Sequence, residues 1–154
     1  MIIKIISIGN KMHSLESEQI DFYLKQLPKN LKIEFINIKN SKSSKNSKDE
    51  ILDYESNLLL NKTNQEDLIV SWDPKGEQID SYNFSKFISE CENSNKTISF
   101  LIGGAFGLSK IVKKNSHKIF SASLLTFPHR LFRLLLVEQI YRSHTIKNNM
   151  PYHK

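Results

Sequence analysis

Cysteine is almost missing from this chain: Cys91 is the only one in 154 residues. An internal disulfide is thereby excluded, and a thiolate metal site has no second ligand. No metal is expected, and a reducing, cytoplasmic location is the simplest expectation. No apolar run approaches the roughly 20 residues that cross a bilayer. The opening "MIIKIISIGN" is apolar but short, carries Lys4 and lacks a small-residue cleavage site, so it predicts a strand rather than a secretion signal. Arginine is scarce as well. The three present, Arg130, Arg133 and Arg142, fall within thirteen residues.

What is abundant is lysine, and the formal net charge is +6. A basic balance favours polyanionic partners, nucleic acid first. The lysines are scattered through a chain rich in Lys, Asn, Ser and Ile, which dilutes their meaning. The arginine cluster weighs more, because the planar guanidinium fork suits phosphate and base contacts.

Glycine is also sparse. Of five in the chain, Gly103, Gly104 and Gly107 share one five-residue stretch, in "SFLIGGAFGLSK". Apolar runs and helical patterns alternate around it. "IIKIISI" (2–8), "LKIEFINI" (31–38), "DLIVSW" (67–72), "TISFLI" (97–102) and "KIFSASLL" (118–125) predict strands. Helices are predicted over 14–27, with Ser14 or Ser17 as cap, over 49–62, over 81–93 and over 128–144 with Pro128 first. "DPKG" (73–76) predicts a turn, and the polar, positive "KNSKSSKNSK" (39–48) an exposed loop. Strands alternating with helices imply one α/β domain with a mostly parallel sheet and helices on both faces. Ligands of such sheets sit at the carboxyl ends of strands, here near Trp72, Gly103 and Leu124.

The glycine cluster follows a predicted strand, so it is either a tight turn or a wall that a ligand approaches closely. It is not a Walker loop, since Leu108 and Ser109 stand where Lys and Ser/Thr are required, and the dinucleotide fingerprint needs another spacing. "SASLLTFPHR" (121–130) offers the hydroxyls of Ser121, Ser123 and Thr126 beside a helix start; Thr126 either grips a ligand or caps that helix. His129 and Arg133, four apart, share a helical face; a histidine there is either a packed helix-start residue or a base. Glu138 and Arg142 have the spacing of an intrahelical pair. The apolar run Leu134 to Val137 calls for burial on several sides, which predicts a homodimer through this helix. "PYHK" ends the chain with an aromatic among basic groups, suited to stacking on a base.

Taken together, "LIGGAFGLS", "LLTFPHRLFRLLLVEQIYR" and "PYHK" closely resemble the large-subunit rRNA pseudouridine N3-methyltransferase family (RlmH), of the SPOUT or trefoil-knot superfamily. The resemblance spans nearly the whole chain and is weakest over 39–64. It implies a knotted α/β homodimer that binds S-adenosylmethionine and methylates N3 of a pseudouridine in 23S rRNA, with no metal and no membrane. By motif, the methyl donor falls to Trp72, Gly103, Ala122, Ser123, Leu124, Leu125, Thr126 and Phe127. His129 is then the candidate base or hydrogen-bond partner, Arg133 and Arg142 the anion contacts, and Tyr152 and His153 the groups that hold the target base, from the partner subunit. Trp72 stands where relatives carry an aliphatic residue, and Phe106 where a small or polar one is expected. The alternatives are a SPOUT enzyme acting on tRNA ribose or base, or a non-enzymatic RNA-binding module.

Overall fold

The structure, a computed structural model, describes residues 1–9, 11–40 and 46–153. Residues 41–45 of the expected basic loop, and Lys154 of the tail motif, lie outside the described residues.

Five strands form one parallel sheet in the order β2-β1-β4-β3-β5. They are β1 (Ile2–Ile8), β2 (Lys32–Ile38), β3 (Leu68–Gln78), β4 (Ile98–Ile102) and β5 (Lys118–Ser121). The helices are α1 (Ser14–Leu24), α2 (Lys48–Leu60), α3 (Ser81–Asn93), α4 (Lys110–Asn115) and α5 (His129–Lys147).

The alternation of side chains along the strands divides the core into two layers. Ile3 and Ile5 of β1, with Val70 and Phe100, pack on Ile20 of α1, Phe84 and Ile88 of α3, and Leu136, Val137 and Ile140 of α5. Ile6 and Ile8 of β1, with Leu101, pack on Leu59 of α2 and Val112 of α4. The expected α/β sheet with helices on both faces is therefore present. Its central strand β4, "ISFLI", is buried along its whole length, as a strand covered on both sides must be.

The amino-terminal edge of the sheet is pinned by Asp67. It accepts hydrogen bonds from Lys4 Nζ at 2.8 Å, Ser99 Oγ at 2.7 Å and the Asn64 amide at 3.0 Å. Burial works to raise its pKa, but these bonds and the Lys4 charge outweigh it and hold the carboxyl below its usual range.

Several boundaries differ from the sequence expectation. The 73–76 "turn" is an irregularity inside β3: the strand resumes pairing with β5 at Glu77 after a register shift. A Cβ at Gly76 would stand 2.7 Å from the backbone of β5, so only glycine lets the strand pass there. β5 stops at Ser121 rather than at residue 125. The short α4 was not expected. Neither Ser14 nor Ser17 caps α1, which His13 precedes without a side-chain cap.

Candidate functional site

At the carboxyl edge of the sheet the ends of β4 and β5 meet the irregularity inside β3, so Trp72 is not at a strand end as expected. β4 ends at Ile102 and the chain turns through Gly103–Gly107, closed by the Gly107 amide donating to the Gly104 carbonyl at 3.0 Å. Each glycine has its own reason. A Cβ on Gly103 would overlap the Gly107 carbonyl, one on Gly104 would press into the Glu55 carboxyl, and Gly107 has φ of +78°. The turn's own construction thus demands the glycines, and its bare backbone is what faces the cleft.

β5 ends at Ser121, whose hydroxyl donates to the Ser123 carbonyl at 3.0 Å, while Ser123 Oγ accepts the Leu125 amide at 2.9 Å. This self-braced loop leads to Pro128 and α5. Pro128 is the N-cap and no side chain caps the helix, so Thr126 has no capping role. β3 supplies Trp72 and Asp73. Asp73 is held by Lys113 of α4 at 2.6 Å and by the Lys75 amide at 2.9 Å.

Between these segments lies a cleft of about 320 Å³. Trp72, Gly103, Ala122, Ser123, Leu125, Thr126 and Phe127 all line it, and so does His129. The Leu124 side chain does not: it is 80% exposed, in the turn that Ser123 braces. Asp73, Gly104, Ser121 and Phe132 line the cleft as well. Phe132, three residues past His129, was legible from helical spacing; Asp73 carried no such signal.

Trp72 forms the floor. Its indole sits among Phe84, Phe100, Phe120 and Phe132, with ring centroids 5.4 to 5.9 Å away. Its buried Nε1 has no hydrogen-bond partner. A second cavity of about 390 Å³, lined by Ile79, Phe84, Leu135 and Gln139, shares Trp72, Ala122, Phe127 and Phe132 with the first.

His129 is half-buried at the first turn of α5. Burial, and then the nearby Arg133 charge, lower its pKa below 6.5, so the imidazole is neutral at pH 7 and carries a free acceptor nitrogen. Arg133 itself is not a free cation of the cleft. It is 1% exposed and donates to Glu16 at 2.8 and 3.0 Å, to Asn37 at 2.8 Å and to Ser7 at 3.3 Å. The expectation that it contacts phosphate is corrected on that ground: its guanidinium is consumed in tying α5 to α1, β1 and β2.

Arg142, Tyr152 and His153 do come together, but away from this cleft. Glu138 accepts from Arg142 Nη2 at 2.6 Å and from the Tyr152 hydroxyl at 2.9 Å. The Arg142 guanidinium stacks on the Tyr152 ring at 4.9 Å, and Arg142 Nη1 meets His153 Nδ1 at 3.1 Å. His153 packs edge-on to Tyr82 at 4.7 Å. Hydrogen bonding to Glu138 raises the Arg142 pKa further; burial, then hydrogen bonds with Tyr23 and Glu138, raise that of Tyr152. The predicted Glu138–Arg142 pair is thus present and anchors the tail. Among the described residues, no cluster of His, Cys, Asp and Glu is arranged to hold a metal, and no helix is long and apolar enough to cross a membrane.

Comparison with known proteins bears on this edge of the sheet. A family model described as "Predicted SPOUT methyltransferase" matches residues 1–153. The curated "Ribosomal RNA large subunit methyltransferase H" of Clostridium botulinum (strain Alaska E43 / Type E3) is 39% identical over 159 residues and covers 100% of both chains. "Ribosomal RNA large subunit methyltransferase H 1" of Clostridium perfringens (strain SM101 / Type A) is 38% identical, again over 100% of both. Among solved structures, a probable methylase family protein from Haemophilus influenzae Rd KW20 superposes with a TM-score of 0.59. It covers 99% of this chain and 70% of that one at 12% identity, a likeness of fold.

Proposed function

This chain belongs to the SPOUT methyltransferase family, and we propose that it transfers a methyl group from S-adenosylmethionine to N3 of a pseudouridine in large-subunit rRNA. The observation that carries the proposal is the full-length identity of 38–39% with relatives named for that rRNA, joined to a cleft at the strand ends where the family motifs fall.

The residues of the cleft fit the cofactor. Its wall is bare backbone at Gly103, Gly104 and Gly107, its floor is aromatic, and the orphaned Trp72 Nε1–H is a donor awaiting an acceptor. Backbone of Trp72, Gly103 and Ala122 to Phe127 would hold the group. When bound, it supplies an electrophilic methyl on a sulfonium. The chain's own part is to orient the base and manage its N3 proton. His129, neutral and lining the cleft, is placed to accept that proton, and alignment supplies much of the acceleration.

The working unit in this reading is a homodimer whose carboxyl-terminal half is threaded as a trefoil knot. Within one chain, α5 is already covered by the sheet, α1 and α3. The apolar surface that supports a second copy is Leu131 of α5 with Leu124 and Leu125 ahead of it, which are 45%, 80% and 71% exposed. In this reading Tyr152 and His153, preassembled with Arg142, reach over from the second copy to hold the target base. The reading is tested by incubating the protein with methyl-labelled S-adenosylmethionine and, separately, large subunits, whole ribosomes and tRNA. Label entering the large-subunit rRNA is expected; label entering tRNA alone overturns it.

A further inference from the structure

Glu55 lies on α2, on the sheet face opposite α5, and the methyl-transfer reading has no use for it. It is 5% exposed, and its Oε2 has no hydrogen-bond partner. A buried carboxyl oxygen without a partner is costly enough to require a reason. The reason is in the glycine turn. The Glu55 carboxyl fills the space that a side chain at position 104 would need: a Cβ on Gly104 would stand 2.6 Å from Oε2 and 2.8 Å from Oε1. Gly104 in turn lines the cleft and accepts the hydrogen bond that closes the turn. The next residue of α2, Ser56, is hydrogen bonded through its hydroxyl to Ser109, the N-cap of α4. Two consecutive residues of one helix thus brace both ends of segment 104–109.

We propose that Glu55 is a positioning residue for the cofactor: its carboxyl fills the space behind Gly104 and holds the 103–107 turn in the shape that walls the cleft. The proposal rests on the reading of that cleft as the S-adenosylmethionine site. Burial pushes the Glu55 pKa up, which favours the neutral acid. No cation opposes this among the described residues. On the elements packed against α2, Lys4 of β1 is engaged with Asp67, and Lys113 of α4 with Asp73; Lys110 and Lys114 of α4 make no ion pair with Glu55. On α2 itself, Lys48 lies over the Phe106 ring, and Asp49, Glu50 and Asp53 share the carboxyl's sign. The turn 103–108 carries no ionisable side chain. Ionisation of this carboxyl puts a charge behind Gly104 with no partner at Oε2, which is expected to loosen the turn.

The test compares wild type, Glu55→Gln and Glu55→Ala in a series from pH 5 to pH 9. Calorimetric titration with S-adenosylmethionine is paired with amide hydrogen exchange of the free protein, corrected for intrinsic rates. The amino group of the ligand titrates in this range against every variant, so the difference between wild type and Glu55→Gln is the readout. Wild-type affinity is expected to fall relative to that of Glu55→Gln as pH rises through the titration of the Glu55 carboxyl, and the two are expected to agree at the acid end of the range. Amides of 104–109 are expected to lose protection over the same range in wild type and not in Glu55→Gln. Glu55→Ala is expected to lose both already at pH 6. Parallel pH behaviour of wild type and Glu55→Gln overturns the proposal, as does wild-type affinity and protection in Glu55→Ala. Should Glu55→Ala not fold, the other pair decides alone. A wild type that binds no S-adenosylmethionine at any pH defeats the functional reading instead, and the exchange arm still decides the role of Glu55.

Discussion

Arg133 of the last helix and Glu16 of the first form an ion pair at 2.8 Å that is nearly sealed from water, with side chains 1% and 9% exposed. The same guanidinium reaches Ser7 and Asn37, so one side chain ties α5 to α1 and to the two strands β1 and β2. Removing one partner of such a pair leaves a buried charge uncompensated. Glu16→Ala is therefore expected to cost about 3–5 kcal/mol of stability, read as a lower urea midpoint with an unchanged slope. Arg133→Lys is not expected to keep that stability, because an ammonium cannot replace two guanidinium nitrogens that donate to one oxygen of Glu16 while a third reaches Ser7 and Asn37. A loss below about 1 kcal/mol in either variant contradicts this, since that is the range of exposed pairs.

The depressed pKa of His129 fixes the sign of its pH dependence. Its neutral form is favoured in the folded state, so the associated stability is complete above 6.5 and is lost as pH falls through the lower folded value. An NMR titration of the ring is expected to show a midpoint under 6.5; a midpoint above it contradicts the burial argument. If the imidazole takes the proton of the target base, His129→Ala lowers kcat by about 10²–10⁴-fold and removes the acid limb of the pH profile.

Cys91 is 4% exposed, and burial pushes its thiol up to about 11. Since the thiolate is the reactive form, a disulfide reagent at pH 8 is expected to label the protein only at the rate of unfolding. Labelling within the mixing time in native buffer contradicts this.

Trp72 is the only tryptophan and forms the floor of the cleft. Its emission is therefore a direct reporter, and S-adenosylmethionine is expected to shift or quench it saturably. Gly103→Ala, whose Cβ meets the Gly107 backbone, is expected to abolish that response with the fold retained. An undisturbed response in this variant contradicts the geometry of the wall.

The sheet was legible because its strands are apolar runs bounded by turn signals, and α3 because Phe84, Ile88 and Cys91 repeat at helical spacing. The six residues of α4 were too short to establish a period. β5 read four residues too long, because "SASLL" looks extended until Ser123 is seen bonding to its own loop. Seven of the eight expected cofactor residues line one cleft because the family motifs fall at the ends of β4 and β5 and at the break within β3. Arg133 was misjudged because a spacing of four from His129 tells which helical face it shares and nothing about whether that face is wet. Glu55 was invisible: "DYESNL" reads as a solvated polar face, and only the approach of Gly104 from across the chain gives its carboxyl a task.

The central claim is that the cleft between the break in β3 and the ends of β4 and β5 delivers a methyl group to rRNA. The most direct measurement is mass mapping of large-subunit rRNA from cells lacking this protein, complemented with wild type or with Gly103→Ala. One pseudouridine is expected to carry an N3-methyl with wild type and to lack it with the variant and with no protein. The same methylation pattern in all three contradicts the account.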